Sequence, residues 1–192
     1  MHRIDVLTAG AILLVACTAS QQPPQRSTDP ASAPATAGVS QVWWLDAVFD
    51  PRDSTIQGLP LRVLDSTWRA ATELRLGLLP PSAAHDSSAL TDSTARFLWD
   101  GDFNRDGVAD RIIVGTYAKQ AEVGRFMLIL TGRGLKKVAH LAQQPGQAGF
   151  SAVWVRGDTL VWSECMQCDV DWTFTWTGRA YDLLPEPADS LD

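Results

Sequence analysis

Between Asp100 and Asp110 the sequence reads Asp100-Gly101-Asp102-Phe103-Asn104-Arg105-Asp106-Gly107-Val108-Ala109-Asp110. Oxygen-bearing side chains stand at alternate positions from Asp102 to Asp106, and Asp110 closes the run. A tight loop turns every second side chain towards a common centre, and oxygen atoms gathered in that way suit a hard divalent cation, calcium above all. Asp102, Asn104 and Asp106 would supply side-chain oxygens, Val108 its backbone carbonyl and Asp110 the closing carboxylate, while Gly107 permits the sharp bend. Magnesium suits the loop less well, because it takes fewer protein ligands. The competing reading is a polar turn without metal, but carboxylates this close repel one another unless a cation intervenes. An EF-hand needs a bidentate Glu at the twelfth loop position. Ile113 stands there, so that loop class is excluded.

The second chemical pattern is Cys165-Met166-Gln167-Cys168. A tetrahedral zinc site would need two further ligands, and His85 and His140 are remote in sequence. A c-type haem needs His after the second cysteine, where Asp169 stands. A thioredoxin-like centre places the pair at a helix N-terminus, where the thiolate is stabilised. Here the pair links two expected strands, and Glu164, Asp169 and Asp171 disfavour a thiolate. A structural disulfide between Cys165 and Cys168 is therefore expected, adding roughly 2 kcal/mol for so short a loop. An exported thiol oxidoreductase using this pair is kept as an alternative.

No catalytic constellation is evident. Neither a Gly-x-Ser-x-Gly elbow nor a His-Glu-x-x-His pair occurs, and Ser163 beside Glu164 has no histidine partner in sequence. Asp100 adjoins the loop and could support it or act as a base, but no feature selects it. Carboxylates paired only in space, as in glycoside hydrolases, are invisible at this level. A role without catalysis is the expectation.

The elements that must position these residues are mainly strands. Apolar runs separated by Gly-containing turns predict strands near Arg111–Tyr117, Arg125–Leu130, Leu135–Leu141, Phe150–Arg156, Thr159–Cys165, Val170–Thr177 and Ala180–Leu184. A two-residue turn at Gly178-Arg179 sets Trp176 opposite Tyr181 and Phe174 opposite Leu183, leaving Asp171, Thr173, Thr175 and Asp182 on a wet face. A turn at Gly157-Asp158 sets Val155 opposite Leu160, Val153 opposite Trp162, Trp154 opposite Val161 and Phe150 opposite Cys165. Both faces of that second hairpin are apolar, which predicts a central, doubly covered position.

Upstream, Trp43-Trp44-Leu45 with Val48-Phe49 predicts a short strand or an apolar plug. Leu61, Leu64, Trp68, Ala71 and Leu78 fall near helical spacing behind Pro60, with Asp65, Arg69 and Glu73 four apart and Gly77 at the end, which predicts one packed helix. Ser82 to Thr94 reads as an exposed loop, with His85 as a solvated side chain. Most of the eight tryptophans are expected in the core. An aromatic sugar-binding platform is the alternative use for them.

The chain has 192 residues, enough for one domain. Residues 1–16 read as an export signal, with Arg3 in the head and an apolar run from Val6 to Val15. Leu14-Val15-Ala16-Cys17 resembles the lipobox of bacterial lipoproteins, which implies cleavage before Cys17 and lipidation of its thiol. An ordinary secretory signal or a short anchor is the competing reading. A spanning helix needs about 20 apolar residues, more than this run supplies. Residues 17–40 form the lipidated cysteine and a Pro-rich polar tether, which cannot bury enough apolar surface to offset its ordering entropy. The domain is expected over 41–187, with a tail at 188–192. Thr18 after the cysteine, rather than Asp, implies the outer membrane over the inner one, given the lipoprotein resemblance. The net charge of −6 without a basic cluster disfavours nucleic acid. The expected partners are the membrane, through lipid on Cys17, and a protein or glycan of the cell envelope.

Gly101 to Asp110, followed by Ile112-Ile113-Val114-Gly115, resembles the FG-GAP or VCBS-type repeat found in integrin alpha chains and bacterial surface proteins. The resemblance implies calcium held in a loop between strands of a propeller blade. A propeller needs at least four blades of four strands, whereas one loop copy and seven predicted strands occur. The fold class expected is therefore mainly β: a compact antiparallel sandwich or barrel-like sheet with a blade-like start and one packed helix. The expected function is a lipid-anchored, calcium-binding envelope module, structural or interactive, with a carbohydrate-binding module as an alternative.

Overall fold

Apolar residues at both parities of positions 110–131 leave that hairpin no face for water, and it becomes the middle layer of the fold. The computed structural model describes residues 42–84, 90, 95–166 and 171–184, all within one unit, Ser40–Asp192. In chain order the elements are the short helix Trp43–Asp46 (α1), strands Thr55–Ile56 (β1) and Leu59–Pro60 (β2), the helix Leu61–Leu64 (α2), and strands Ala70–Glu73 (β3), Ala95–Arg96 (β4) and Leu98–Gly101 (β5). Then follow Asp110–Ala118 (β6), Val123–Thr131 (β7), Lys137–Pro145 (β8), Ala152–Arg156 (β9), Thr159–Ser163 (β10), Asp171–Trp176 (β11) and Tyr181–Leu183 (β12).

The chain is mainly β, as expected, with the strands in antiparallel sheets. The first large sheet runs β3-β6-β7-β8. β5 also pairs with β6, so β3 and β5 share one edge of β6 at its two halves. The second runs β12-β11-β10-β9-β4. Ile112, Val114, Met127 and Ile129 of the first sheet meet Val153, Leu160, Trp162 and Phe174 of the second in one core. Ile113, Tyr117, Phe126 and Leu128, on the opposite face of the first sheet, meet Ile56, Leu59, Leu61 and Trp68 from the β1–β2 segment and the chain after it. Two sheets and an N-terminal flap thus make three layers, and nearly every residue of β6 and β7 is buried.

Phe97 lies between β4 and β5, and its carbonyl accepts from the Val114 amide at 3.1 Å. The chain therefore changes sheets at Phe97 and ties one side of the sandwich shut. The other side, between β8 and the β11–β12 edge, has no such strap among the described residues.

The packed helix expected from 61 to 78 is not present. Helix α2 stops at Leu64, and β3 occupies 70–73. Asp65 ends the helix: its Oδ1 accepts from the Thr67 amide and hydroxyl at 2.8 and 2.6 Å, a local turn that competes with helical bonding. Beyond it, β6 offers β3 a ladder with Ala71 opposite Tyr117 and Thr72 opposite Thr116. The helical spacing of Leu61, Trp68 and Ala71 comes from their all covering the same face of β6 and β7. The segment Trp43–Asp46 is one helical turn rather than a strand, and buried Trp43 serves as the plug.

Both hairpin registers follow the turn parity. Trp176 faces Tyr181 and Phe174 faces Leu183, while Val155 faces Leu160 and Val153 faces Trp162. The ladder closes at Ala152–Ser163, so Phe150 and Cys165 are not strand partners. The β9–β10 hairpin is central in its sheet. β10 is buried on both faces from Leu160 to Ser163, as β6 and β7 are along most of their length.

Two glycines are required by close cross-strand packing. A Cβ on Gly115 would lie 2.4 Å from the Thr72 carbonyl oxygen and 2.5 Å from the Phe126 ring. One on Gly124 would lie 2.2 Å from the Gln144 carbonyl oxygen and 2.8 Å from the Tyr117 ring. Each ring therefore lies over the glycine opposite it, the arrangement by which an aromatic residue covers a glycine in a sheet.

Candidate functional site

The acidic loop is the connection between β5 and β6, and Gly101 pairs with Asp110 at its base. Hydrogen bonds within the loop fix its course. Asp102 Oδ1 accepts from the Asp106 amide at 3.1 Å and its Oδ2 from the Gly107 amide at 2.9 Å. Asn104 Oδ1 also accepts from the Asp106 amide, at 2.9 Å, and Asp106 Oδ1 accepts from the Val108 amide at 2.8 Å. Gly107 has a positive φ of 81°, as the sharp bend requires. Arg105 is also left-handed, at 61°, and its guanidinium points outward to pair with Asp158 in the β9–β10 turn.

Asp110 differs from the other loop carboxylates. Asp102 and Asp106 are exposed, whereas Asp110 is fully buried. Its Oδ2 accepts from the Phe103 and Asn104 amides at 3.0 and 3.2 Å, and its Oδ1 has no hydrogen-bond partner. The buried Tyr181 hydroxyl from β12 lies against Asp110 and interacts with its carboxylate, although no well-formed hydrogen bond joins the two. Burial, followed by the negative charges of Asp110 and Asp102, holds the Tyr181 phenol well above its ordinary range. A buried carboxylate with only the Tyr181 hydroxyl beside its second oxygen is under-satisfied, and a cation at this point would complete its coordination. The donor chemistry of Asp102, Asn104, Asp106, the Val108 carbonyl and Asp110 therefore suits calcium. The cage is not pre-assembled: among the described residues no three His, Cys, Asp or Glu side chains are gathered closely enough to hold a metal ion.

The base of the loop is anchored to the flap. Arg111 Nε donates to Asp100 Oδ1 at 2.7 Å and Nη2 to Oδ2 at 3.0 Å, a two-point contact. Arg111 Nη1 donates to Gln57 Oε1 at 2.8 Å, and Gln57 Nε2 donates to Glu73 Oε2 at 2.8 Å. Asp100, which the sequence left open as a base, is thus held in an ion pair with Arg111.

Cys165 is 1% exposed and disulfide-bonded. Cys168 and His85, like Cys17, lie outside the described residues. Ser163 Oγ donates to the Cys165 carbonyl at 2.9 Å, which places it in a local turn beside the disulfide. No family model, no curated protein and no solved structure matches this chain. No helix among the described residues is long and apolar enough to cross a membrane.

A second grouping had no signal in sequence spacing. His140 and Gln144 on β8 and Trp162 on β10 each carry a buried polar atom without a partner: His140 Nε2, Gln144 Oε1 and Trp162 Nε1. His140 packs on Phe174 at 5.2 Å and on Tyr181 at 6.1 Å between ring centroids. Burial pushes the His140 imidazole below its ordinary 6.5, against the opposing charge of Asp182. Its contribution to stability is therefore present above pH 6.5 and is lost as pH falls through 6.5 towards the folded value. Melting temperature is expected to fall as pH drops below about 6.5, and His140→Gln to flatten that fall. Parallel profiles for the two proteins would remove His140 as the cause.

Proposed function

We propose that this chain is a lipid-anchored, calcium-stabilised β module of the bacterial cell envelope, with a structural or interaction role rather than a catalytic one. The observation that carries the calcium reading is the fully buried Asp110, whose Oδ1 makes no well-formed hydrogen bond, at the base of a loop of alternating oxygen donors. Asp102, Asn104, Asp106 and Asp110 would hold the ion with the Val108 carbonyl. The ion would neutralise their mutual repulsion and lock the β5–β6 turn. Amide donors already take one oxygen of Asp110 and both oxygens of Asp102, which limits how far the side chains must move. Anchoring rests on the resemblance of Leu14 to Cys17 to a lipobox. Burial of Cys165 weighs against the thiol oxidoreductase alternative, because an attacking thiol must be accessible.

At an affinity near 10⁻⁴ M, typical of extracellular modules, about 1 mM calcium adds about 1.4 kcal/mol of stability. For a domain of this size that raises the melting temperature by roughly 3–6 °C. Calorimetric titration should show heat of calcium binding, and a chelator should lower the melting temperature by that amount. Asp106→Ala should lose both effects while remaining folded, since Asp106 is exposed. No heat together with no chelator effect on the unsubstituted protein would overturn the calcium reading.

A further inference from the structure

The open side of the sandwich contains a cleft of about 320 Å³. His140, Ala142 and Gln144 line it from β8, and Trp162, Trp172 and Phe174 line it from β10 and β11. The three β8 residues face the second sheet, because they pair with Ile129, Met127 and Arg125 on the inward side of β7. We propose that this cleft binds a small, uncharged, polyhydroxylated ring, a monosaccharide or the terminal unit of a glycan, stacked on Trp172 and bonded to His140, Gln144 and Trp162.

Three properties of the lining select that chemistry. The first is the orphaned trio itself. Trp162 Nε1 can only donate and Gln144 Oε1 can only accept, and neither has a partner. A hydroxyl does both, so neighbouring hydroxyls of one ring answer a donor and an acceptor a few bonds apart. Leaving such groups buried and unmatched costs roughly 1–3 kcal/mol each; all three atoms are closed to solvent as the chain stands, so a ligand recovers that cost only as the side chains turn towards the cleft.

The second property is the aromatic wall. Trp162 and Trp172 lie with ring centroids 5.4 Å apart at 45°, and Trp172 is half-buried, so part of its ring remains open. The C–H face of a sugar ring is apolar and packs on such a surface, while its edge carries the hydroxyls. Across from the rings stands Ala142, whose small side chain leaves the space that a larger residue would fill.

The third property is the absence of lining charge. Among the described residues, no Asp, Glu, Lys or Arg lines the cleft. A charged ligand would lose its hydration there without a counter-charge. The charge felt by His140 is the negative one of Asp182, which further disfavours anionic sugars. A volume near the lower end of the roughly 300–1,000 Å³ range of ligand pockets suits one ring rather than several. The cleft shares no lining residue with the acidic loop, so binding is expected with and without calcium.

The test is saturation-transfer NMR on the full chain, with and without calcium, using glucose, galactose, mannose, N-acetylglucosamine and glucuronate as probes. Transfer to at least one neutral sugar is expected under both conditions, and none to glucuronate. Trp172→Ala should weaken binding roughly tenfold, the size of one aromatic contact. Ala142→Phe should abolish it by filling the space. If Ala142→Phe does not fold, Trp172→Ala at a half-buried position decides alone. Silence for every neutral sugar, transfer to glucuronate alone, or undiminished binding by Trp172→Ala would each overturn the assignment.

Discussion

Trp68→Ala is expected to destabilise the protein by about 3–5 kcal/mol, the range for truncating a large buried aromatic side chain. Trp68 is 6% exposed, although it belongs to no helix or strand. It stacks on Tyr117 with centroids 5.1 Å apart and planes 1° from parallel, and it leans on Phe126 at 5.1 Å and 46°. Those two rings cover Gly124 and Gly115, so Trp68 is the outer lid of a stack that fills the space the glycines leave. Its Nε1 donates to Gln143 Oε1 at 3.1 Å, and Gln143 Nε2 donates to Asp65 Oδ2 at 2.9 Å. The same residue therefore supplies packing and one link in a chain of hydrogen bonds from the flap to β8. Truncation leaves a cavity above two rings held rigidly by the sheet and strands the Gln143 oxygen. The melting temperature should fall by between roughly 6 and 20 °C. Leu45→Ala, at a side chain 57% exposed, should change stability by less than about 0.5 kcal/mol. A Trp68→Ala effect no larger than that of Leu45→Ala would show that the flap contributes little to the fold.

Trp68 also marks where sequence periodicity misleads. Residues 61–78 carry a helical spacing of apolar side chains, yet the chain there changes from a single helical turn to an irregular stretch and then to β3. Periodicity reports which residues point inward, and a segment that winds over one face of a sheet can produce a helix-like pattern without helical bonds. Asp65 was read as one of a row of helical charges, whereas its bonds to Thr67 make it the stop. Downstream the reading was more secure because the turns were short. A two-residue turn fixes parity, and parity fixes every pair in the ladder, as Trp176–Tyr181 and Val153–Trp162 illustrate. The short strands β3, β4 and β5 carried too few residues to display alternation, and their pairing is with residues far away in the chain.

The acidic loop was legible because its residues are consecutive. Its bend at Gly107 follows from residue type, whereas the left-handed φ of Arg105 and its pairing with Asp158 do not. The contrast between exposed Asp102 and Asp106 and buried Asp110 was not legible, because it arises from β12, about seventy residues further on, where Tyr181 closes over Asp110. The cleft at β8 was invisible for the same reason. His140, Gln144 and Trp162 come together only when the two sheets are stacked, and no spacing within either strand announces it.

A second large effect is expected at Glu164, through the charge it neutralises. Arg125 is 7% exposed, on the inward face of β7. Its Nε donates to the Phe150 carbonyl at 2.9 Å and its Nη1 to Glu164 Oε2 at 2.7 Å. A Cβ on Gly149 would come within 2.4 Å of Arg125 Nη2, so the glycine makes the room for the guanidinium. Burial lowers the pKa of Arg125, and Glu164 opposes that shift, so the pair exists because the carboxylate offsets a desolvated cation. Glu164→Ala leaves that cation buried and unpaired, and removing one partner of a buried pair costs about 3–5 kcal/mol. The Glu164 side chain is 27% exposed, which puts the expected cost at the lower end, about 3 kcal/mol. Arg125→Met should cost less, because the carboxylate left behind can reach water while a methionine fills the apolar space. The double variant Arg125→Met/Glu164→Ala should be more stable than Glu164→Ala alone, since it contains no stranded charge. Denaturant midpoints for the four proteins measure the coupling directly. Additive effects would show that Arg125 is held by the Phe150 carbonyl alone, whereas a double variant that recovers stability identifies the ion pair as the bond between the first sheet and the disulfide-bearing segment at Cys165.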